Sequence, residues 1–136
     1  MLRTRILTLL LAAGPAACGA GSPTRPDPVA LDKEVTLAPG GTVAVKGQDV
    51  EVGFESVTED SRCPTSVQCV WMGEVKARLT FRRGGEETTT KEVREGEALV
   101  VPGFRVTLVR VTPYPTSTAK VPAPDYRATL KVSTAP

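Results

Sequence analysis

Apolar and polar residues alternate along most of this 136-residue chain, in short runs that end at glycine or proline. Val75, Ala77, Leu79 and Phe81 are separated by Lys76, Arg78 and Thr80; Val50, Val52 and Phe54 by Glu51 and Gly53; Tyr126, Ala128, Leu130 and Val132 by Arg127, Thr129 and Lys131. In an extended strand successive side chains point to opposite faces, so each run has one apolar side and one solvated side. An amphipathic helix would repeat its apolar residues every three to four positions, and no stretch does so convincingly. The breaks fall at Pro39-Gly40-Gly41, Gly47-Gln48, Gly84-Gly85 and Pro102-Gly103, residue types that set or permit the dihedrals of tight turns. Strands are therefore expected over residues 33–38, 42–46, 49–57, 74–83, 104–112 and 125–133, with others after Gly85 and near residues 98–101. About seven short antiparallel strands with one buried face make a small all-β domain. A β-sandwich is the first expectation and a small, partly open β-barrel the alternative.

Residues 1–17 have a different character. Arg3 and Arg5 precede an apolar core, residues 6–13, far shorter than the ~20 residues that span a bilayer, so the segment reads as a signal peptide. Ala16 and Ala17 stand directly before Cys18, as in the lipobox of bacterial lipoproteins, where the cysteine is acylated and becomes the new N-terminus. Pro15 departs from that box, which usually carries leucine there. Cleavage nearby by an ordinary signal peptidase is the alternative. Residues 18–29 are rich in Gly, Pro and Ser and lack an apolar period, as expected of a flexible tether behind an acylated Cys18. Residues 30–136 remain for a single β domain. A domain of that size buries proportionally little surface and gains from a covalent staple.

The cysteine count agrees with export. Three cysteines leave an odd one in an exported chain. Acylation of Cys18 accounts for it and leaves Cys63 and Cys69, expected as a disulfide in an oxidising compartment. Charge narrows the partners. Lys and Arg number 17 against 15 Asp and Glu, and the excess is Arg3 and Arg5, so the charges cancel from Cys18 onward. No basic footprint for nucleic acid or anionic lipid is left. The expected address is the bacterial cell envelope, exported and held to the membrane by the N-terminal lipid, on the periplasmic side or the outer surface.

The segment "EDSRCPTSVQCVWMGEV", residues 59–75, breaks the alternation. Asp60 and Ser61 are turn and cap residues. Arg62 could pair with Asp60, Glu59 or Glu74; a buried fork would hold the loop rigid, whereas a surface pair would contribute little. The cysteines are not spaced as a redox Cys-x-x-Cys, and no histidine is present to complete a zinc site. Calcium held by Glu59, Asp60 and Glu74 matches no known loop spacing. A single helical turn is expected within residues 63–70, with Pro64 in its first turn. Trp71 is one of only six aromatic residues, so it is expected to serve the core beside the disulfide, with an exposed binding anchor as the alternative. Gly73 is expected to let the chain turn closely past the indole.

Ser61, Arg62, Cys63 and Pro64, followed by Cys69, Trp71 and Gly73, resemble the Ser-Arg-Cys-Pro…Cys-x-Trp-x-Gly signature of small secreted bacterial lipoproteins of uncharacterised function. The flanks are similar too, with "FESV" before the segment and "VTPYP" followed by a Tyr-led strand after it. The resemblance spans most of the chain beyond the signal. It implies an all-β envelope lipoprotein and supplies no catalytic residues.

Catalysis is not expected. Without histidine, a serine or cysteine nucleophile lacks its usual base, and no Ser-x-x-Lys occurs in the domain. The acids fall mostly on outward strand positions or in turns, and no Gly-rich loop leads from a strand into a helix. No cofactor and no metal are expected. The expected function is a non-catalytic envelope lipoprotein, a binding or structural module that uses its stapled loop. Asp60, Ser61, Arg62, Trp71, Gly73 and Glu74 are the candidate binding or loop-structuring residues. A structural envelope protein without a specific ligand and a hydrolase acting on envelope substrates are the alternatives. An envelope protein or a glycan would be the partner. The Pro-rich connection over residues 114–125 is the second candidate loop. Exposed apolar area on either loop would favour binding, and a solvated polar surface would favour the structural reading.

Overall fold

Alternating runs of this kind can bury their apolar sides only against one another, and they do so as two facing sheets. The computed structural model describes residues 26–136; the segment expected to be a signal peptide, and Cys18, lie outside them. One sheet has the order β1 (Glu34–Leu37), β8 (Arg127–Thr134), β7 (Phe104–Thr112), β6 (Ala98–Val101). The other has the order β2 (Gly41–Ala44), β3 (Val50–Asp60), β4 (Val75–Arg83), β5 (Thr89–Arg94). All neighbours within the sheets are antiparallel. Neither sheet closes on itself, so the fold is a sandwich and not a barrel.

Register follows the apolar pattern. Val52 faces Phe81 and Phe54 faces Leu79 across β3 and β4; Val106 faces Val132 and Leu108 faces Leu130 across β7 and β8. A slip of one residue would turn each of these sets to solvent. All eight of these side chains are buried, and together with Val43, Ala77, Leu99 and Ala128 they fill the space between the sheets.

Three local features depart from the sequence expectation. Strand β3 does not stop at Val57 but runs to Asp60, kept in register with β4 by shifts between Phe54 and Ser56 and between Val57 and Glu59. Such bulges add a residue to one strand and bend it without ending its pairing. The helical turn expected within residues 63–70 is a single hydrogen-bonded turn, with the Val67 N–H donating to the Pro64 carbonyl at 3.3 Å. The Thr65 N–H donates to the Pro115 carbonyl, 3.2 Å, and the chain closes on itself at Cys69. Among the described residues the helical geometry is instead a 3₁₀ turn at Ala123–Asp125, inside the Pro-rich connection. Val29, placed at the end of the tether, is itself part of the core. It is buried, donates to the Ala44 carbonyl at 2.9 Å and accepts from the Lys46 N–H at 2.7 Å.

This topology gives the molecule two ends. Strands β3 and β7 both lead to one end, where residues 61–74 and 113–126 form the connections to β4 and β8. Val29 lies at the other, beside the turn that leads into β3.

Candidate functional site

Arg62 lies two residues beyond the end of β3 and is the only charged residue in the buried set among the described residues. Its guanidinium turns back on the strand it has left. Nε and Nη2 donate to the two carboxylate oxygens of Asp60 at 2.8 and 2.7 Å, the parallel fork that a planar guanidinium makes with a carboxylate. Nη1 donates to the Val111 carbonyl at 2.8 Å and Nη2 also to the Pro113 carbonyl at 3.0 Å, both at the end of β7 in the opposite sheet. The Tyr114 ring lies under the guanidinium, 5.1 Å from centroid to Cζ. From just before β8 the Tyr126 hydroxyl donates to the second Asp60 oxygen at 2.9 Å. One buried side chain thus clasps both sheets at this end, and no buried side-chain N or O among the described residues lacks a partner.

The clasp holds its charges across neutral pH. Burial pushes the Asp60 carboxyl up, but hydrogen bonds from Arg62 and Tyr126, with the guanidinium charge, outweigh it and hold the group below the usual 3.8. Burial pulls the Arg62 guanidinium down, and the hydrogen bonds and charge of Asp60 more than restore it. Burial, then the bond to Asp60 and its charge, push the Tyr126 phenol up to about 12. None of the three is poised to exchange a proton near pH 7, which is what general acid–base chemistry needs. The cluster fixes a loop.

The base of that loop continues the ladder of β3 and β4. The Ser61 N–H donates to the Glu74 carbonyl at 2.8 Å, the Glu74 N–H to Ser61 Oγ at 3.1 Å, and the Cys63 N–H to the Met72 carbonyl at 2.9 Å. Gly73 sits between these bonds with φ +70°, and a Cβ there would collide with the Ser61 carbonyl. Its close approach is to backbone, not to the indole of Trp71. The Glu74 carboxylate is held by Lys76 and Arg94, each at 3.0 Å, and Glu59 by Lys76 at 2.8 Å. Asp60, Ser61, Arg62, Gly73 and Glu74 therefore come together as the loop's foundation, and Cys63 and Cys69 are bridged above it.

Trp71 does not serve the core. It is 67% exposed, with Val70 beside it fully exposed and Met72 65% exposed. The reason is geometric: the ladder bonds at Cys63 and Met72 leave residues 64–71 outside the sheets. Cys63, not Trp71, reaches inward. Val67 and Tyr114 are half-exposed next to this tip. Residues 63–72 contain no charged side chain at all. Alongside the tip lies a shallow hollow of about 520 Å³ lined by Cys63, Pro64, Val67, Cys69, Met72 and Tyr114. The Pro-rich connection flanks it, joined through the Thr65–Pro115 bond, so the two candidate loops form one surface. A second cleft of about 520 Å³ separates the far half of β3 from residues 115–123, with Thr58, Glu59, Ser117, Thr118 and Lys120 on its walls.

Sequence reasoning missed Val67, Val70, Met72 and Tyr114 as a surface, and Tyr126 as the partner of Asp60. A signal for the first group was present, since ten consecutive residues without charge stand out in a loop between strands that bear Glu51, Glu55, Lys76, Arg78 and Arg82. No protein-family model matches the chain, nor does any curated protein or solved structure in the comparisons made.

Proposed function

We propose that the protein is a non-catalytic envelope lipoprotein, anchored through Cys18, that acts as a binding module, with the stapled tip as its working surface. The observation that carries this reading is the exposed apolar tip of Val67, Val70, Trp71 and Met72 on a loop that is otherwise tightly fixed. Exposing a tryptophan and three aliphatic side chains together is unfavourable unless something covers them, and such patches mark interaction sites. The fixing matters as much as the exposure. The disulfide, the Arg62 clasp and the ladder bonds hold the tip in one shape before anything binds, so little ordering entropy opposes association. Tryptophan at the centre of such a surface is the residue type that most often dominates binding energy.

The test replaces the tip without touching its foundation. Trp71→Ala should leave the melting temperature within about 2 °C, as an exposed substitution does, while capture of envelope components from native membranes is lost. Thr65, Ser66 and Gln68 replacements should weaken capture in the same way. If capture by Trp71→Ala equals that of the wild type, the tip is not the working surface and the structural reading stands. Intact-mass analysis of the membrane fraction should show an acyl adduct on Cys18; an unmodified N-terminus downstream of it would remove the anchor from the proposal.

A further inference from the structure

The charges that cancel in the sum are not mixed in space. In the sheet of β3 and β4 the outward cations are matched: Lys76 with Glu59 and Glu74, Arg78 with Glu55, Arg82 with Glu51, Arg94 with Glu74. The four strands of the other sheet carry Arg105, Arg110, Arg127 and Lys131 against a single acid, Glu34. Their strand neighbours Phe104, Val106, Val111, Ala128, Leu130 and Val132 are buried, which turns the four cations outward. Arg105, Arg110 and Lys131 make no ion pair and no side-chain hydrogen bond among the described residues, and Arg127 donates only to the Pro124 and Tyr126 carbonyls.

Register arranges these cations in a file. Arg105 stands opposite Ser133, Lys131 opposite Thr107, Arg110 opposite Thr129 and Arg127 opposite Thr112. Each step along the β7–β8 ladder therefore presents one cation and one hydroxyl, and the cation changes strand at every step. Steps of two residues are about 6.7 Å apart, so the file is about 20 Å long. Four like charges at diagonal spacings of about 7–8 Å raise the potential over this face, and an anion laid along it relieves their repulsion. We propose that the face binds a linear polyol phosphate, its phosphodiesters lying along the β7–β8 ladder, one to each cation. The surface is separate from the tip and does not depend on it.

Width favours a chain over a membrane. The cations occupy only the two central strands, whereas a flat layer of lipid headgroups would also meet Glu34 on β1 and the exposed, apolar Val100 on β6. Spacing favours the repeat. Phosphates bridged by a three-carbon diol are six bonds apart, as many as two extended peptide residues contain, so they recur at about 7 Å. A nucleic acid has a similar backbone, but its bases need aromatic side chains to stack on, and the outward residues of this sheet include none. Hydroxyls stand there instead, with Thr129 backed by Thr36 at 2.9 Å, and these donate to phosphate oxygens.

The probe is a fluorescein-labelled oligomer of about eight propane-1,3-diol phosphate units, long enough to span the file. The protein is the exported chain carrying Cys18→Ala, so that acylation contributes nothing. Anisotropy should report a Kd on the order of 10–100 µM at about 50 mM salt. With four phosphates engaged, a rise to about 200 mM should weaken binding roughly 50-fold. Arg110→Gln and Lys131→Gln should each weaken it at least about fivefold and flatten the salt slope by about 0.7, with melting temperatures within about 2 °C of wild type. Arg78→Gln makes the same charge change on the opposite face and should bind as the wild type does.

Absence of binding at about 50 mM salt overturns the inference. Equal losses in Arg78→Gln and Arg110→Gln do so as well, because net charge alone would then explain them. Tighter binding of an oligothymidylate of equal phosphate number, of an oligogalacturonate of equal charge, or of phosphatidylglycerol vesicles would assign the face to another occupant. Trp71→Ala should bind the oligomer unchanged. Above about 500 mM salt this contact is screened, so envelope capture measured there reports on the tip alone, and the failure of either surface is told apart from the other.

Discussion

Replacing Arg62 by methionine tests the clasp most directly. Methionine fills much of the same volume, so the loss is electrostatic rather than a cavity. The substitution strands an Asp60 carboxylate whose side chain is only 9% exposed, leaving it the Tyr126 hydroxyl and a backbone amide. It also removes the donors that satisfy the Val111 and Pro113 carbonyls. Removing one member of a buried ion pair costs about 3–5 kcal/mol, most of it from the charge left behind. Against a total stability of about 5–15 kcal/mol this is a large share. At roughly 4 °C per kcal/mol for a domain of this size, the melting temperature should fall by about 12–20 °C. Thermal and urea unfolding under non-reducing conditions measure it. The double variant Asp60→Asn/Arg62→Met should be less damaged than the two single losses combined, with a coupling of at least ~2 kcal/mol, because the stranded charge has gone. Acid supplies a second readout. The folded pKa of Asp60 lies below 3.8, so its contribution is present above that pH and is lost as pH falls through the folded value. Without Arg62 only the Tyr126 hydroxyl and a backbone amide oppose burial, so the carboxyl rises, and the gap between variant and wild type should narrow below about pH 4. A loss under ~1 kcal/mol, or strictly additive single effects, would refute the clasp.

Gly73→Ala should destabilise by at least ~2 kcal/mol in urea unfolding, since a left-handed φ and a collision with the Ser61 carbonyl act together; a loss below ~0.5 kcal/mol would mean the loop base shifts freely. Cys69→Ser should cost about 2 kcal/mol, the loop-closure entropy of a six-residue separation, and leave the far-UV β signal intact. Loss of that β signal would mean the bridge is needed for the fold itself. Tyr126 has a folded pKa of about 12 against 10.0 in the unfolded chain, so wild-type stability should be fully present below pH 10 and fall as pH rises toward 12. Tyr126→Phe should lose that alkaline slope, and an unchanged slope in the variant would place its origin elsewhere.

The faces of the strands could be read because burial in a sheet has the same period as the backbone itself. Val75, Ala77, Leu79 and Phe81 announce their side of β4 without reference to anything else in the chain. Two kinds of information are not local. The strand order that brings β1 beside β8 pairs Val35 with Leu130, and no alternation specifies which run meets which. The choice of Asp60 over Glu59 or Glu74 for Arg62 depends on carbonyls 49 and 51 residues away, at Val111 and Pro113. Trp71 failed for a third reason. Its scarcity argued for the core, but in an irregular loop the covalent bridge and the ladder decide which way a side chain points. Strand β3 outran its expected end because a bulge shifts the period by one and hides the continuation at Ser56 and Glu59.

The position of Val29, at the end of the sandwich away from Trp71, sets a leash. For a chain held at Cys18, the stretch from there to Val29 can extend to roughly 36 Å at full length. Strand β3, 11 residues long, adds roughly another 36 Å between the point of attachment and the loops. The tryptophan would then sweep a dome whose top lies about 70 Å above the bilayer, and could touch its own membrane only with the leash doubled back along the whole domain. Each residue deleted between Cys18 and Val29 would shrink that dome by about 3 Å and leave the tip itself unchanged.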